Sequence, residues 1–261
     1  MSTTSLPALF IGHGSPMNTL ESNRYTDTWR NVAASIPKPV AILMISAHWY
    51  INATAVTAMP NPRTIHDFYG FPEELFAVQY PAPGSVALAQ HIAELAAPTW
   101  VGMDTDQWGF DHGAWSVLVH MYPDADIPVV QLSINANESL DYHTKLGARL
   151  APLLNEGVLI IASGNVVHNL SRIQWGSEGR GFEWADRFDI EARELMKTNP
   201  AAISTLSQHE AFGLAVPTPD HFLPLAYFAG IAAATDAEVS VFNEERTMGS
   251  LSMTSYIAQP A

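Results

Sequence analysis

The sequence of 261 residues contains no cysteine. This absence excludes disulfides, thiolate metal ligands and cysteine nucleophiles, so a bound metal would have to rest on imidazole, carboxylate or water. Basic residues are also few: 12 lysines and arginines stand against 26 acidic residues, and the formal net charge is -14. A surface of this charge repels phosphate backbones and anionic lipid, so we expect neither nucleic acid nor a membrane as a partner.

Targeting signals and long hydrophobic runs are absent as well. Residues 1–10 have no basic stretch of the kind that opens a signal peptide. The longest weakly polar run, residues 223–234, is too short to span a bilayer. We therefore expect a cytoplasmic protein.

The overall composition is that of a globular chain, with 48% hydrophobic and 15% charged residues. A chain of this length can bury a large core. No internal repeat, low-complexity stretch or linker divides it. We expect one catalytic domain over residues 1–261.

Four short apolar runs predict strands buried on both faces, at residues 8–11, 40–46, 129–132 and 158–162. Amphipathic patterns between them predict helices. These are expected at residues 85–97 (capped by Ser85), 138–154 and 182–196, with another after Asp220. The alternation predicts an α/β fold with a central, largely parallel or mixed sheet flanked by helices.

Residues 59–84 form a different kind of segment. They contain five prolines and five aromatic residues. This composition predicts a long ordered loop, and such loops in compact domains are often functional. A surface meander packed by its own aromatics is the alternative.

The chain has ten histidines, and three of them follow predicted strands. His13 follows the first strand, His48 the second and His168 the fourth. Ligands of open α/β sheets bind beyond the carboxyl ends of the strands, where such loops converge. The pattern therefore indicates a metal or catalytic cluster, although each histidine alone could be an ordinary hydrogen-bonded residue.

Two further histidines lie in comparable corners. His112 precedes a glycine, and His221 stands at the expected start of a helix. The sequence around His13 lacks the third glycine of a dinucleotide fingerprint, and neither a Walker A sequence nor a Gly-x-Ser-x-Gly elbow occurs. A serine hydrolase is therefore disfavoured, although Ser15 or Ser46 beside a histidine keeps that alternative open.

Six motifs along the chain resemble those of one known family. They are Gly12-His13-Gly14-Ser15-Pro16, Ser46-Ala47-His48-Trp49, His66-Asp67-Phe68-Tyr69-Gly70-Phe71-Pro72, Asp111-His112-Gly113-Ala114-Trp115, Ser163-Gly164-Asn165-Val166-Val167-His168-Asn169-Leu170 and Asp220-His221-Phe222-Leu223-Pro224. In this order they resemble the bacterial and plant 4,5-DOPA extradiol dioxygenase family. That family lies within the class III extradiol superfamily, which includes the protocatechuate 4,5-dioxygenase catalytic subunit. The resemblance covers nearly the whole chain and implies a single α/β domain with a metal at one end of its central sheet.

The resemblance also implies roles for the histidines. His13 and His48 match two metal ligands, and His221 matches the third. Better-known members of the superfamily use a carboxylate beside two histidines, so Asp220 is the alternative to His221. His168 matches an acid/base group that can also lie close enough to the metal to be a ligand.

His112 matches a second catalytic histidine, near oxygen or substrate. The implied reaction is the opening of DOPA or a related catechol by O2, with Fe(II), to give a muconic semialdehyde. Fe(II) can hold the catechol and O2 at the three positions that a facial set of protein ligands leaves open. Histidine suits the proton transfers because its unperturbed pKa lies near 6.5. Apolar walls for the ring are expected from Trp49, Phe68, Tyr69 and Phe71.

Two rival functions use the same residues. A zinc-dependent hydrolase also employs histidines with an open position, and zinc can occupy an iron site of this type on isolation. A non-catalytic metal-binding or scaffold protein is the other alternative, since fold does not dictate function.

Overall fold

The computed structural model of the chain describes residues 5–177 and 179–260. Strands and helices alternate along most of this length. The strands are β1 (Ala8–Gly12), β2 (Ala41–Ile51), β3 (Ala55–Thr57), β4 (Arg63–Thr64), β5 (Gly102–Asp104), β6 (Gly109–Phe110), β7 (Val129–Asn135), β8 (Val158–Gly164), β9 (Glu238–Phe242), β10 (Arg246–Thr247), β11 (Leu251–Ser252) and β12 (Ser255–Gln259). The α-helices are α1 (Arg24–Ser35), α2 (Glu73–Phe76), α3 (Val86–Leu95), α4 (His112–Met121), α5 (Leu140–Leu150), α6 (Glu183–Thr198), α7 (Phe212–Ala215) and α8 (Leu223–Ala234).

Eight of the strands form a mixed sheet in the order β5-β3-β7-β2-β8-β1-β12-β9. The central strands β7, β2, β8 and β1 are parallel to one another. On one side β12 and β9 add antiparallel strands, and on the other β3 runs antiparallel to β7. This sheet confirms the expected α/β class and its mixed form.

Helices cover both faces of the sheet, since β1 and β8 are buried along their whole length. On one face, alternate side chains such as Phe10 and Ile160 pack with α3, α5, α6 and α8. On the other face, Leu9 and Ile161 pack with α1 and α4. The result is a three-layer arrangement with a core on each side of the sheet.

The predicted elements are present, with changed boundaries. Ser85 caps α3, since its hydroxyl accepts a hydrogen bond from the Leu88 amide at 3.2 Å. The helix expected over residues 138–154 is shorter because a 3-10 turn, Ala151–Glu156, follows it, and the second residue of that turn, Pro152, has no amide hydrogen to donate. The helix after Asp220 is α8, and it is buried. Within the described ranges, none of the helices combines the length and apolar character needed to cross a bilayer.

Residues 59–84 are an ordered segment, as expected. It contains β4 and the short helix α2, and β4 pairs with β6. Leu75 and Tyr80 anchor the segment in the core on the α1 and α4 side of the sheet. The segment thereby holds its central loop, which contains Asp67, against the end of the sheet.

Parallel register brings the strand ends to one level. Gly12 of β1 pairs with Gly164 of β8, and Ser46 of β2 pairs with Ser163 of β8. His13 therefore follows β1 at the level where β8 ends and where the pairing of β2 with β8 stops. This edge of the sheet is where the site lies.

The expectation that His48 follows its strand is wrong. The strand does not end at residue 46 but continues to Ile51, so His48 lies within β2. The pairing of β2 with β7 is interrupted between Ile45 and Tyr50. Because of this irregularity, the backbone around His48 does not pair regularly with β7 at the level of the site.

Candidate metal centre and substrate cavity

The five histidines singled out in the sequence line one cavity of about 1220 Å³ at the end of the sheet: His13, His48, His112, His168 and His221. They come from β1, β2, α4 and the segments after β8 and before α8. The structure thus brings together residues separated by up to about two hundred positions in the sequence.

The rings form two close pairs joined through His13. His48 and His112 have centroids 3.8 Å apart, and His168 lies parallel to His221 at 3.5 Å. His13 lies 5.1 Å from His48 and 5.4 Å from His221. His48 and His221 are 4.9 Å apart. All five imidazoles therefore face a common volume.

His13, His48 and His112 have potential ligand nitrogen atoms that all lie within 4.8 Å of one another. This grouping includes His112, to which the resemblance assigns a catalytic rather than a ligand role. Both His112 and His221 are therefore candidates for the third metal ligand.

The tautomer of His13 follows from its hydrogen bonds. Its Nδ1 lies 2.9 Å from the Ser163 hydroxyl, and that hydroxyl donates to the Gly113 carbonyl at 2.6 Å. Ser163 must then accept from Nδ1–H, because its own hydrogen is used. Nε2 of His13 is left with its lone pair toward the cavity.

One carboxylate orients two further imidazoles. Asp67 Oδ2 lies 3.0 Å from Nδ1 of His48, and Oδ1 lies 2.9 Å from Nδ1 of His112. Oδ1 also accepts from the His112 amide at 3.0 Å. Burial raises the pKa of Asp67, but the bonds from His112 and His48 outweigh burial and hold it well below its usual range. The carboxylate stays ionised, so it accepts from both Nδ1–H groups.

His221 is oriented in the same manner. Its Nδ1 donates to Asp220 Oδ2 at 2.5 Å. The bond to His221 lowers the pKa of Asp220 in spite of partial burial. Asp220 thus holds the imidazole from its Nδ1 side, and His221 is the member of this pair that presents a free nitrogen, Nε2, to the cavity.

The arrangement fits a bound metal ion. The Nε2 atoms of His13 and His48 lie 3.2 Å apart. Both Nδ1 atoms donate away from this contact, so when both rings are neutral two lone pairs face each other, and a shared cation makes such an approach favourable. Carboxylate and hydroxyl partners on the far side of the imidazoles are the usual support of histidine metal ligands.

Burial and mutual repulsion keep most of these imidazoles neutral. Burial, followed by the nearby histidines, lowers the pKa of His13 well below its usual value. The same causes lower the pKa of His168 to about 2, and burial lowers that of His221 to about 4 against the opposing bond to Asp220. His48 differs: although burial opposes it, the Asp67 bond and nearby carboxylates raise its pKa. Neutral imidazoles are the form that binds metal.

A second buried carboxylate supports the backbone beneath His48. Asp111 caps α4 by accepting from the Ala114 amide at 3.2 Å, and it accepts from the Ser46 hydroxyl at 2.6 Å. Gly113 lies against this pair. A Cβ at position 113 would overlap the Ser46 hydroxyl and lie 2.8 Å from the His48 ring, so only glycine fits here.

The cavity walls agree in part with the sequence. Phe68, Tyr69 and Phe71 line it, as expected. Trp49 does not: its side chain is buried and stacks on Trp108 at 5.8 Å, because β2 continues past His48 and turns the residue away. Apolar residues of distant segments complete the wall, namely Leu170, Ile173, Trp175, Leu251 and Met253.

Asp67 and Ser163 are functional residues whose roles the sequence did not reveal. Both belong to motifs named above, but a carboxylate or hydroxyl in a motif does not say which imidazole it contacts. The available signal was the position of Asp67 in the proline-rich segment and of Ser163 at a strand end.

Known proteins resemble the chain over nearly its whole length. Residues 7–256 match the family described as the catalytic LigB subunit of aromatic ring-opening dioxygenase. A 4,5-DOPA dioxygenase extradiol of Escherichia coli (strain K12) is 48% identical over 265 residues, covering 98% of this chain and 95% of that protein. The enzyme of that name from Beta vulgaris is 39% identical, with 95% and 94% covered.

A solved structure shares the fold. The crystal structure of an Escherichia coli K12 protein superposes with a TM-score of 0.83 at 43% identity. The match covers 97% of this chain and 99% of that one.

Proposed function

Because the chain belongs to the family of catalytic LigB subunits of aromatic ring-opening dioxygenases and is an extradiol ring-cleaving dioxygenase, we propose that it uses Fe(II) and O2 to open the ring of DOPA or a related catechol. The product is a muconic semialdehyde. The observation that supports this most is the cluster of five imidazoles, four of which have Nδ1 held by a hydrogen-bond partner, which leaves Nε2 as the nitrogen available to a metal.

His13, His48 and His221 are the proposed metal ligands. Each has its Nδ1 engaged by an acceptor, so each offers Nε2. Fe(II) bound there would supply open positions for a catechol and O2 and a path for electrons between them. His112 is the alternative third ligand, because its nitrogen lies within 4.8 Å of those of His13 and His48.

His168 is the proposed general base. Burial and then His221 lower its pKa, so the ring is neutral and has a lone pair for a catechol proton. It would return that proton later as the acid that assists O–O cleavage. His168 can also lie near enough to the metal to act as a ligand.

His112 is the second proposed catalytic group. Asp67 accepts from its Nδ1, so the Nε2 atom faces the cavity as an acceptor. It would hold a substrate hydroxyl or receive a proton at that atom. Phe68 and Phe71 would pack on the ring of the substrate and exclude water from it.

Residues 1–261 are proposed to act as one catalytic domain. β1, which His13 directly follows, lies between β8 and β12 in the sheet. Removal of either neighbour would expose the strand that leads into the site.

Metal replacement tests the function. The metal-free protein is loaded anaerobically with Fe(II) or Zn(II), then exposed to O2 and a panel of catechols. We expect a yellow ring-opened product with Fe(II) and none with Zn(II). Zinc competes well for such sites, so metal content alone does not decide. Absence of product from every catechol with Fe(II) bound would contradict the proposal, and hydrolysis restored by zinc would favour a zinc hydrolase.

A further inference from the structure

The wall of the substrate cavity carries two opposite charges near the start of α1. Glu21 and Arg24 both line the cavity that holds the histidines. Within residues 5–177 and 179–260, Arg24 is the only lysine or arginine in that lining. A catechol ring needs neither charge, so the pair suggests recognition of another part of the substrate.

A chain of hydrogen bonds fixes these charges relative to the metal site. The Asn18 amide donates to the His13 carbonyl at 3.0 Å, and the Asn23 amide donates to Asn18 Oδ1 at 2.9 Å. Asn23 also caps α1, with its side chain accepting from two backbone amides. Arg24 is the first residue of that helix. The hydrogen bonds through Asn18 and Asn23 therefore fix the position of its Cα relative to His13.

The Arg24 side chain is half exposed and partly engaged. Its Nη2 pairs with Glu245 and lies 3.1 Å from the Tyr25 hydroxyl. Glu245 is tied in turn to the cavity wall, because its carbonyl accepts from the Met253 amide at 2.8 Å. In the described part of the chain no hydrogen bond is made by Nε or Nη1 of Arg24. Nε and Nη1 lie on either side of Nη2, and each can donate a charge-assisted hydrogen bond to a carboxylate oxygen.

Glu21 offers the opposite charge. Its carboxylate accepts from the Asn23 amide at 3.2 Å. Across the residues that the structure describes, Glu21 pairs with no lysine or arginine. An exposed carboxylate without a cationic partner beside a cavity attracts an ammonium group.

We propose that Arg24 and Glu21 form a subsite for the amino-acid group of a catechol substrate. Arg24 binds the carboxylate and Glu21 binds the ammonium, while the catechol ring extends to the histidines. This inference rests on the proposed function and deepens it, since it selects zwitterionic catechols over simple ones.

Four catechols that differ chiefly in the charged groups of their side chains test the subsite. L-DOPA carries both groups, dopamine the amine alone, 3-(3,4-dihydroxyphenyl)propionate the carboxylate alone and 4-methylcatechol neither. For Arg24→Gln we expect KM to rise about fivefold for the two carboxylates, as suits a half-exposed ion pair. For Glu21→Gln we expect a similar rise for the two amines. Turnover of 4-methylcatechol should stay at the wild-type level and shows that each variant is folded.

Matched controls are Arg187→Gln and Glu138→Gln, which lie outside the cavity lining. They should change none of the four KM values. Anaerobic calorimetry with the Fe(II)-loaded protein gives an independent readout, in which L-DOPA binds the wild type more tightly than 4-methylcatechol.

Equal effects of a variant on all four substrates would overturn the subsite. So would equal binding of L-DOPA and 4-methylcatechol to the wild type. In both cases ring opening itself would still be observed, and the proposed function would stand. A wild type that neither binds nor opens any of the four would overturn the proposed function and the subsite together.

Discussion

His168 lies parallel to His221, with ring centroids 3.5 Å apart and 2° between the ring planes. Burial and the neighbouring ring both disfavour a charge on His168, and they lower its pKa to about 2. Asp220 holds His221 through Nδ1, so the stacking contact also fixes the orientation of the His168 ring. His168 is therefore held as a neutral imidazole beside His221.

His168→Ala is expected to keep the metal and lose turnover. Loss of a general acid/base costs about 10² to 10⁴ in rate, so kcat for catechol opening should fall by that order. Metal content after dialysis is measured beside kcat. A variant with wild-type turnover would remove the assignment, and loss of metal would instead make His168 a ligand.

Asp67→Ala should weaken metal binding because two imidazoles lose the acceptor of their Nδ1–H groups. Loss of such a supporting partner typically costs 10- to 100-fold, so a fall of about this size is expected in a chelator competition. Asp141→Ala, which removes an exposed ion pair with Lys145, is the control and should leave affinity unchanged. Unchanged affinity in Asp67→Ala would contradict the role given to the carboxylate.

His221→Ala and His112→Ala separate the two candidates for the third ligand. If His221 binds the metal, its removal empties the site, whereas His112→Ala retains metal and loses kcat. Bound metal is measured by elemental analysis at equal protein concentration. The reverse pattern would assign the third position to His112.

Gly113→Ala should disturb the site without replacing a ligand. The added methyl group would overlap the Ser46 hydroxyl and press on the His48 ring. Such overpacking costs about 1–3 kcal/mol, so the unfolding midpoint in urea should fall and metal affinity should fall with it. Gly213→Ala, where a Cβ would meet nothing within 4 Å, is the control.

His143 should make stability depend on pH, away from the metal site. Its Nδ1 donates to the Ser139 carbonyl at 2.7 Å, and its Nε2 is buried with no partner among the described residues. Burial lowers its pKa to about 4. The unfolded chain then binds the proton first, so this contribution is full above pH 6.5 and is lost as pH falls toward 4. The loss is about 3 kcal/mol.

Urea unfolding of wild type and His143→Asn between pH 7 and pH 4 measures that contribution. The variant should lose less stability on acidification. His91 is the opposite case, because the bond to Glu156 raises its pKa. His91 stabilises the fold below pH 6.5, and this contribution is lost as pH rises through its folded pKa. His91→Asn should therefore shift the pH dependence in the other direction, and identical slopes for all three proteins would contradict both assignments.

The sequence predicted the central sheet because its strands are continuous apolar runs. All four predicted runs are strands, and His13 and His168 follow two of them. The flanking strands β9 and β12 were missed because they have only short, interrupted apolar patterns. Their pairing joins distant segments, which local periodicity does not record.

The sequence predicts which residues form the site but not how they are arranged. The histidines could be named because imidazoles after strand ends converge, but the Asp67 contacts depend on how a long loop folds back. The boundary error at His48 has the same origin, since an interruption of pairing inside β2 leaves no mark in its composition. Both features depend on tertiary contacts, which the local sequence pattern does not record.

The position of β1 between β8 and β12 sets an order of events during synthesis. The Gly12 amide donates to the Ser255 hydroxyl, a contact that spans 243 residues. His13 directly follows this strand. Its final position therefore depends on Ser255, which is among the last residues to be synthesised. Contacts of such long range form slowly. The nascent chain would therefore have to leave the ribosome almost completely before His13 reaches its final position, and a metal ion held by this residue would be bound only after that point.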